Sequence, residues 1–339
     1  MSSRRPFVAT SLVLVSALAL AGCASASADA DPETSENEAG TITYTWDRNV
    51  AGEDEEPTYE ETTVEVPKNP EKIVAFEMSS LDSIGALGGE VAGAPLESVP
   101  EYLKDNLADD AFNAGTLFEA DLIEIEAQQP DLIIIGGRSS GLYDELSEIA
   151  PTIDLGISDT YLNTLERNTE FFGELLGAED EASALLDELN AGIDEAKAAT
   201  ADAGNGLAVM VSGGELKAMS PAPAEGGSAQ VRGGLLYDVF GVEPAIDDIK
   251  AATHGDPISF EFLLEHDPET LWVVDRDAAT GSAEDGMAAA QVLDNDIVEQ
   301  TAAFTNDKIV YLNPTAWYIV YGGLETTQLM IDDVLQITE

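Results

Sequence analysis

The chain has 339 residues, 66 of them acidic against 14 basic, for a formal net charge of −52. No basic stripe is available to neutralise phosphates, which excludes a nucleic-acid binder. The single cysteine, Cys23, excludes an internal disulfide and a cysteine-built metal site.

The acidic residues are spread along the chain rather than gathered in a tail. Self-repulsion of that size weakens a compact fold in dilute buffer, whereas molar salt cuts the screening length to about 3 Å, so the composition predicts a salt-adapted protein. At the amino end, Ser2-Ser3-Arg4-Arg5 precedes an apolar run from Pro6 that closes on Leu20-Ala21-Gly22-Cys23. A short charged region, an apolar stretch and small residues before a cysteine read as an export signal over residues 1–22, not as a membrane span. Leu20-Ala21-Gly22-Cys23 resembles the lipobox of lipoproteins, which implies a lipid on Cys23, and Ser3-Arg4-Arg5-Pro6-Phe7-Val8 resembles a twin-arginine export signal. Residues 23–63 read as the lipid anchor and an acidic tether with little to bury up to Gly40. The alternation from Thr41 to Trp46 adds an edge hairpin. The folded body then begins near Pro67, and about 270 residues are enough for two domains with their own cores.

Lys72 to Phe76 reads as a strand, Ser80 to Leu87 as a helix and Val91 to Ala94 as a strand. Asp121 to Gln128 reads as a helix stopped by Pro130, and Leu132 to Ile135 and Thr152 to Leu155 as further strands. Fully apolar short strands between helices suit a sheet covered on both faces, so residues 64–160 are expected to form an amino-terminal αβ lobe. Tyr161 to Leu176 carries Leu162, Leu165, Thr169, Phe172 and Leu176 at helical spacing, and Ala182 to Ala196 repeats the pattern. Residues 161–178 are taken as a connecting helix and 179–339 as a carboxyl-terminal αβ lobe. Its elements are Leu207 to Val211, Leu235 to Phe240, Phe260 to Leu264, Leu271 to Val274, Ile309 to Leu312 and a closing helix from Gly323 to Val334.

Both lobes contain one device. In the first, Pro130 is followed by an apolar strand and then Arg138; in the second, Pro268 is followed by an apolar strand and then Arg276, with the same spacing. Ligands of open αβ sheets sit beyond the carboxyl ends of strands, so the two arginines are expected at a cleft between the lobes. Only five arginines follow the export signal, and a third, Arg232, lies in the glycine-rich stretch Gly226 to Gly234, where flexible backbone beside a guanidinium suits an anion. His254 lies in a loop before a helix, and His266 reads as a helix-end residue favoured by the dipole. The two histidines form no metal-binding pair with each other. Gly137-Arg138-Ser139-Ser140-Gly141 fits the Gly-x-Ser-x-Gly pattern of a serine hydrolase with Ser139 as nucleophile, but no histidine follows the late strand Ile309 to Leu312 as that chemistry requires.

Several stretches resemble the binding proteins of iron-siderophore ABC importers, in the branch for catecholate and petrobactin-type complexes. They are Ile133 to Arg138, Gly233 to Gly241, His254 to Glu261, Trp272 to Arg276 and Tyr311 to Leu324. The resemblance implies two αβ sandwich lobes joined by a long helix, with the ligand cleft between them and no catalysis. It implies that Arg138, Arg232 and Arg276 face the anionic ferric catecholate. It implies that His254 and Tyr318 bind ferric iron where the siderophore leaves positions open, with Tyr311 and Tyr321 close by. Phenolate and imidazole suit this hard ion, and guanidinium supplies permanent planar charge. The ring of Trp317 reads either as a face for catechol rings or as core. The implied partners are a ferric siderophore, an ABC permease dimer with its cytoplasmic ATPase, and the membrane through the lipid. The protein would be a monomer on the extracellular face of the cytoplasmic membrane, with no cofactor of its own and iron held only within the siderophore. Haem, cobalamin or another chelate is the alternative cargo, although a neutral corrinoid has no need of three arginines. Asp275, Asp277 and Glu225 either orient the arginines or oppose an anion.

Overall fold

The computed structural model describes residues 40–51, 57–157, 160–221, 232–250, 252, 254–282 and 288–338. The export signal, Cys23, the tether up to residue 39, Glu225 and Gly226 to Val231 lie outside the described residues. Strands β1 (Thr41–Asn49) and β2 (Tyr59–Pro67) pair antiparallel along their whole length as a separate two-stranded sheet. This ribbon does not extend the edge of a lobe. Tyr44 sets its ring edge-on to Phe171 at 5.0 Å, and Arg48 pairs with Asp144 at 2.8 Å while covering the Tyr143 ring at 4.6 Å. Ile42 and Tyr44 are buried, so the packed body begins at the hairpin rather than near Pro67.

The first lobe is built on β3 (Ile73–Ala75), β4 (Val91–Ala94), β5 (Leu107–Asn113), β6 (Leu132–Ile135) and β7 (Thr152–Asp154), all parallel in the order β5-β4-β3-β6-β7. Its helices are α1 (Met78–Ala86), α2 (Leu122–Gln128) and α3 (Tyr143–Leu146). Two helices follow, α4 (Tyr161–Leu176) and the 25-residue α5 (Glu179–Ala203), so the link between lobes is a pair of helices of which α5 is the longer. The second sheet contains β8 (Asn205–Ser212), β9 (Glu215–Ala218), β10 (Glu243–Pro244), β11 (Asp256–Ile258), β12 (Thr270–Asp275) and β13 (Ile309–Leu312). Its order is β11-β9-β8-β12-β13, with β10 parallel to β8 and with β9 and β11 antiparallel to their neighbours. Around it lie α6 (Leu235–Asp238), α7 (Phe260–His266), α8 (Arg276–Ala279), α9 (Ala289–Leu293), α10 (Ala302–Thr305) and α11 (Leu324–Leu335).

Strand alternation explains why these runs are apolar throughout. Val74, Ile133 and Ile135 face one outer core, and Leu207, Val209, Leu271 and Val273 face another. Their neighbours Ile73, Leu132, Ile134, Ala208, Met210 and Trp272 join a single core that also takes in α4, α5 and α11. Each sheet is thus covered on both faces, and the inner faces of the two lobes share one interior.

Helix α11 is held to the first lobe by an acid far away in sequence. Asp82, fully buried on α1, accepts hydrogen bonds from Glu325 N (2.8 Å), Thr326 N (2.8 Å) and Thr326 Oγ1 (2.6 Å), groups that the first turn of α11 cannot satisfy internally. Tyr102 and Tyr161 add hydroxyl contacts of 2.7 Å to Thr326 and Thr327. Asp82→Ala is expected to cost about 3 kcal/mol, because it removes a helix cap and leaves buried donors unmatched. Thermal unfolding followed by circular dichroism in high salt measures that loss.

Candidate functional site

The matching spacing in the two lobes has a common backbone cause. Helices α2 and α7 both end on a left-handed residue, Gln129 (φ 52°) and Asp267 (φ 44°), directly before Pro130 and Pro268. Strands β6 and β12 follow, each fourth in its sheet, and Arg138 and Arg276 emerge beyond their carboxyl ends. Both arginines converge on one residue. Arg138 donates to the carbonyl oxygens of Tyr318 (2.9 Å) and Ile319 (3.0 Å), while Nε of Arg276 donates to the Tyr318 hydroxyl at 2.7 Å.

Arg232 completes the group from a short turn, with a left-handed backbone (φ 56°) and only 7% of its surface exposed. Its guanidinium lies 4.9 Å from the centre of the Tyr318 ring and 5.6 Å from that of Tyr321. Arg138 covers Tyr321 at 5.1 Å and Arg276 covers Tyr318 at 5.5 Å, so three cations share two phenol faces. Burial pulls the pKa of Arg232 down, and the charges of Arg138 and Arg276 act in the same direction against the opposing pull of the two tyrosines. Concentrated, partly dehydrated positive charge of this kind is stabilised by an arriving anion.

The tyrosines owe their places to a π-helical turn, Thr315–Val320, closed by a hydrogen bond from Tyr321 N to Ala316 O at 2.8 Å. Such wide turns concentrate at functional sites because they re-aim side chains within a helical segment. Tyr318 and Tyr321 reach the arginines, whereas Tyr311 lies on the edge strand β13, 43% exposed. Trp317 does not line the cleft. Its ring is fully buried 5.7 Å from Phe240, and its Nε1 donates to Asp333 at 2.9 Å, so the turn that presents Tyr318 places Trp317 in the core.

His254 stands exposed at the cleft margin, its ring centre 6.3 Å from that of Tyr318. Gly255 follows with φ 78°, and a Cβ there would lie 2.9 Å from the Ala218 carbonyl oxygen, so only glycine lets the chain enter β11 at this angle. Burial lowers the pKa of His254, and Arg232, Arg276, Lys217 and Arg138 lower it further. The neutral imidazole, the form that binds metal, is therefore favoured.

The acids near the arginines are tied to backbone amides. Asp275 accepts from Ala278 N (2.9 Å) and Ala289 N (2.7 Å), and Asp277 accepts from Gly213 N at 2.6 Å. Ser139 is buried, with its hydroxyl bonded to Gly136 O (3.1 Å) and accepting from Gly136 N (3.0 Å). It shapes the turn that carries Arg138, a structural role in place of the nucleophile of the hydrolase pattern. His266 ends α7 with Nδ1 2.9 Å from the Phe262 carbonyl oxygen, in keeping with a helix-end residue. Sequence reasoning missed Glu77, the buried cap of α1, whose other neighbours include Arg138 and Tyr321.

Two αβ lobes linked by a helix pair, with cations gathered beyond the carboxyl ends of equivalent strands, define a bilobed solute-binding protein. A family model described as periplasmic binding protein matches residues 73–316, and the chain belongs to that family. Membership makes it an extracytoplasmic, membrane-associated binding protein rather than an enzyme. It is 38% identical over 273 residues to the petrobactin-binding protein YclQ of Bacillus subtilis, covering 79% of this chain and 83% of that protein. The crystal structure of a TroA-like periplasmic binding protein from Xylanimonas cellulosilytica is similar with a TM-score of 0.84 at 67% identity, over 88% of this chain and 99% of that one. The periplasmic catecholate-siderophore binding protein VctP from Vibrio cholerae is similar with a TM-score of 0.73 at 30% identity, over 86% and 99% of the respective chains.

Proposed function

We propose that this protein is the extracellular solute-binding component of an ABC importer. It captures an anionic ferric siderophore of catecholate or mixed-catecholate type and delivers it to a permease dimer driven by a cytoplasmic ATPase. The observation that carries this reading is the convergence of Arg138, Arg232 and Arg276 on the rings of Tyr318 and Tyr321. Guanidinium groups match the negative oxygens of a ferric catecholate, and phenol and neutral imidazole are donors that ferric iron accepts. In this reading His254 and Tyr318 complete the iron sphere when the siderophore supplies four oxygens. Cys23 carries the lipid that holds the monomer at the outer face of the cytoplasmic membrane.

Trp317 lies beside Tyr318 in sequence and in the core beneath it, and so reports on the cleft. Titration in high salt with a ferric catecholate is expected to quench tryptophan fluorescence saturably. Ferric hydroxamates and cobalamin serve as the comparison cargoes. No quenching by any ferric catecholate would sink the assignment, and saturable quenching by cobalamin alone would favour a neutral chelate.

A further inference from the structure

Arg276 is the first residue of α8 and lies beside the end of β8, where Asp275 pairs with Val211. Two of its guanidinium nitrogens are engaged within the protein. Nε donates to the Tyr318 hydroxyl at 2.7 Å and Nη1 donates to the Ser212 hydroxyl at 3.1 Å, so the planar fork is fixed from two sides. Among the described residues Nη2 makes no hydrogen bond. Arg138, by contrast, commits both terminal nitrogens to the carbonyls of Tyr318 and Ile319. Because Ser212 accepts from Arg276, its own proton points elsewhere, and Oδ1 of Asp277 lies 3.5 Å away as its acceptor. Oδ2 of Asp277 accepts from Gly213 N at 2.6 Å. Ser212 is 9% exposed and Asp277 5%, so this relay is shielded from water. A tight turn holds it in place. Ser212 pairs with Glu215 where β8 meets β9, and Gly213 (φ 59°) and Gly214 (φ 77°) between them both take the left-handed backbone that a two-residue hairpin demands. The turn fixes the direction of the Gly213 N–H, and with it the carboxylate that accepts it.

The order of groups along this relay matters. In a chain with 66 acidic residues, an arginine that met a carboxylate directly would already carry its counter-ion. Asp277 follows Arg276 in sequence and is buried near it, yet among the described residues Arg276 forms no ion pair. Ser212 stands between guanidinium and carboxylate, transmitting orientation through its hydroxyl while keeping the acid one hydrogen bond away. On the reading of the cleft as a ferric catecholate site, we propose that Ser212 and Asp277 are positioning residues for Arg276. They lock its fork and leave its charge and Nη2 for the anion, acting through Arg276 and not on the cargo. A guanidinium held in place beforehand loses little freedom when the anion arrives, so the effect appears as affinity.

The test is a double-mutant cycle on the mature protein in high salt, read by tryptophan fluorescence as the ferric complex of 2,3-dihydroxybenzoate is titrated in. Ser212→Ala is expected to weaken binding about tenfold, the scale of one hydrogen bond to a charged group. Ser212→Thr keeps the hydroxyl and should recover most of that loss. In an Arg276→Ala background, Ser212→Ala should cause no further loss, because both changes act on one contact. Asp277→Ala provides a second arm and should follow the same pattern in both backgrounds, with melting curves confirming that each variant is folded. A loss of the same size with and without Arg276 would show that the relay only supports the hairpin, and would overturn the proposal. Unchanged binding in Ser212→Ala would overturn it as well. If Arg276→Ala alone binds the complex as tightly as the unaltered protein, or if the unaltered protein does not bind it, the ferric catecholate reading itself fails and the positioning role with it.

Discussion

Arg232→Ala is expected to weaken binding of a ferric catecholate by about a hundredfold, the range for removing one partner of a buried charge-assisted contact. Arg232 is the most buried of the three cleft arginines and the one whose guanidinium faces both tyrosine rings. The left-handed backbone at this position complicates an alanine replacement, since any side chain with a Cβ is strained there. Arg232→Gly separates the two effects: glycine accepts the backbone without strain, so its loss of affinity reports the charge alone. Arg232→Lys keeps the charge but not the planar fork and should fall between. Arg276→Ala releases the Tyr318 hydroxyl, and Arg138→Ala releases the carbonyls of Tyr318 and Ile319, so both should weaken binding and also loosen the tyrosine turn. Titration of each variant by fluorescence quenching, checked against its melting curve, reads these effects. Unchanged affinity in all three alanine variants would mean that the ligand sits elsewhere.

The second large effect expected is on stability in dilute buffer. With a net charge of −52, most carboxylates have no cation to meet, and pairs such as Arg48 with Asp144 or Lys68 with Glu174 engage one acid each. Raising salt from tens of millimolar to about 2 M shortens the screening length severalfold and removes most of the repulsion between exposed acids. The melting temperature is therefore expected to rise by about ten degrees, which corresponds to roughly 6 kcal/mol for a chain of this size. A flat dependence of melting temperature on sodium chloride would show that the acidic surface is tolerated without screening. The buried part of the ligand contact should be less sensitive, because Arg232 is shielded from the salt that weakens exposed pairs.

Much of the fold was legible because periodicity and apolar content report burial directly. Val91–Ala94, Leu132–Ile135, Ile309–Leu312 and Tyr161–Leu176 occur with the bounds read from sequence. Strand β5 was not read, since Leu107-Ala108-Asp109-Asp110-Ala111-Phe112-Asn113 is an edge strand whose polar residues face solvent and whose pairing is set by β4. The short β9 and β11 were missed for a similar reason: an antiparallel edge is made by a partner strand, not by local composition. At the site, the shared interval from proline to arginine exposed Arg138 and Arg276, because a left-handed helix end, a proline and a short strand fix where the next residue emerges.

Trp317 and Glu77 mark the limit of that reasoning. Next to Tyr318 an aromatic ring reads equally as ligand platform or core, and only the π-helical turn with its Asp333 partner sends Trp317 inward. Glu77 is one acid among 66 until the fold buries it beside Arg138 and Tyr321. The two αβ lobes, the scarcity of cations and the places of the arginines along the chain follow from local pattern and composition. Which tyrosines the arginines meet, which acid is buried beside Arg138 and how α11 is tied to the first lobe follow only from tertiary packing. Those contacts join residues 42 to 244 positions apart, distances over which neither periodicity nor propensity carries information.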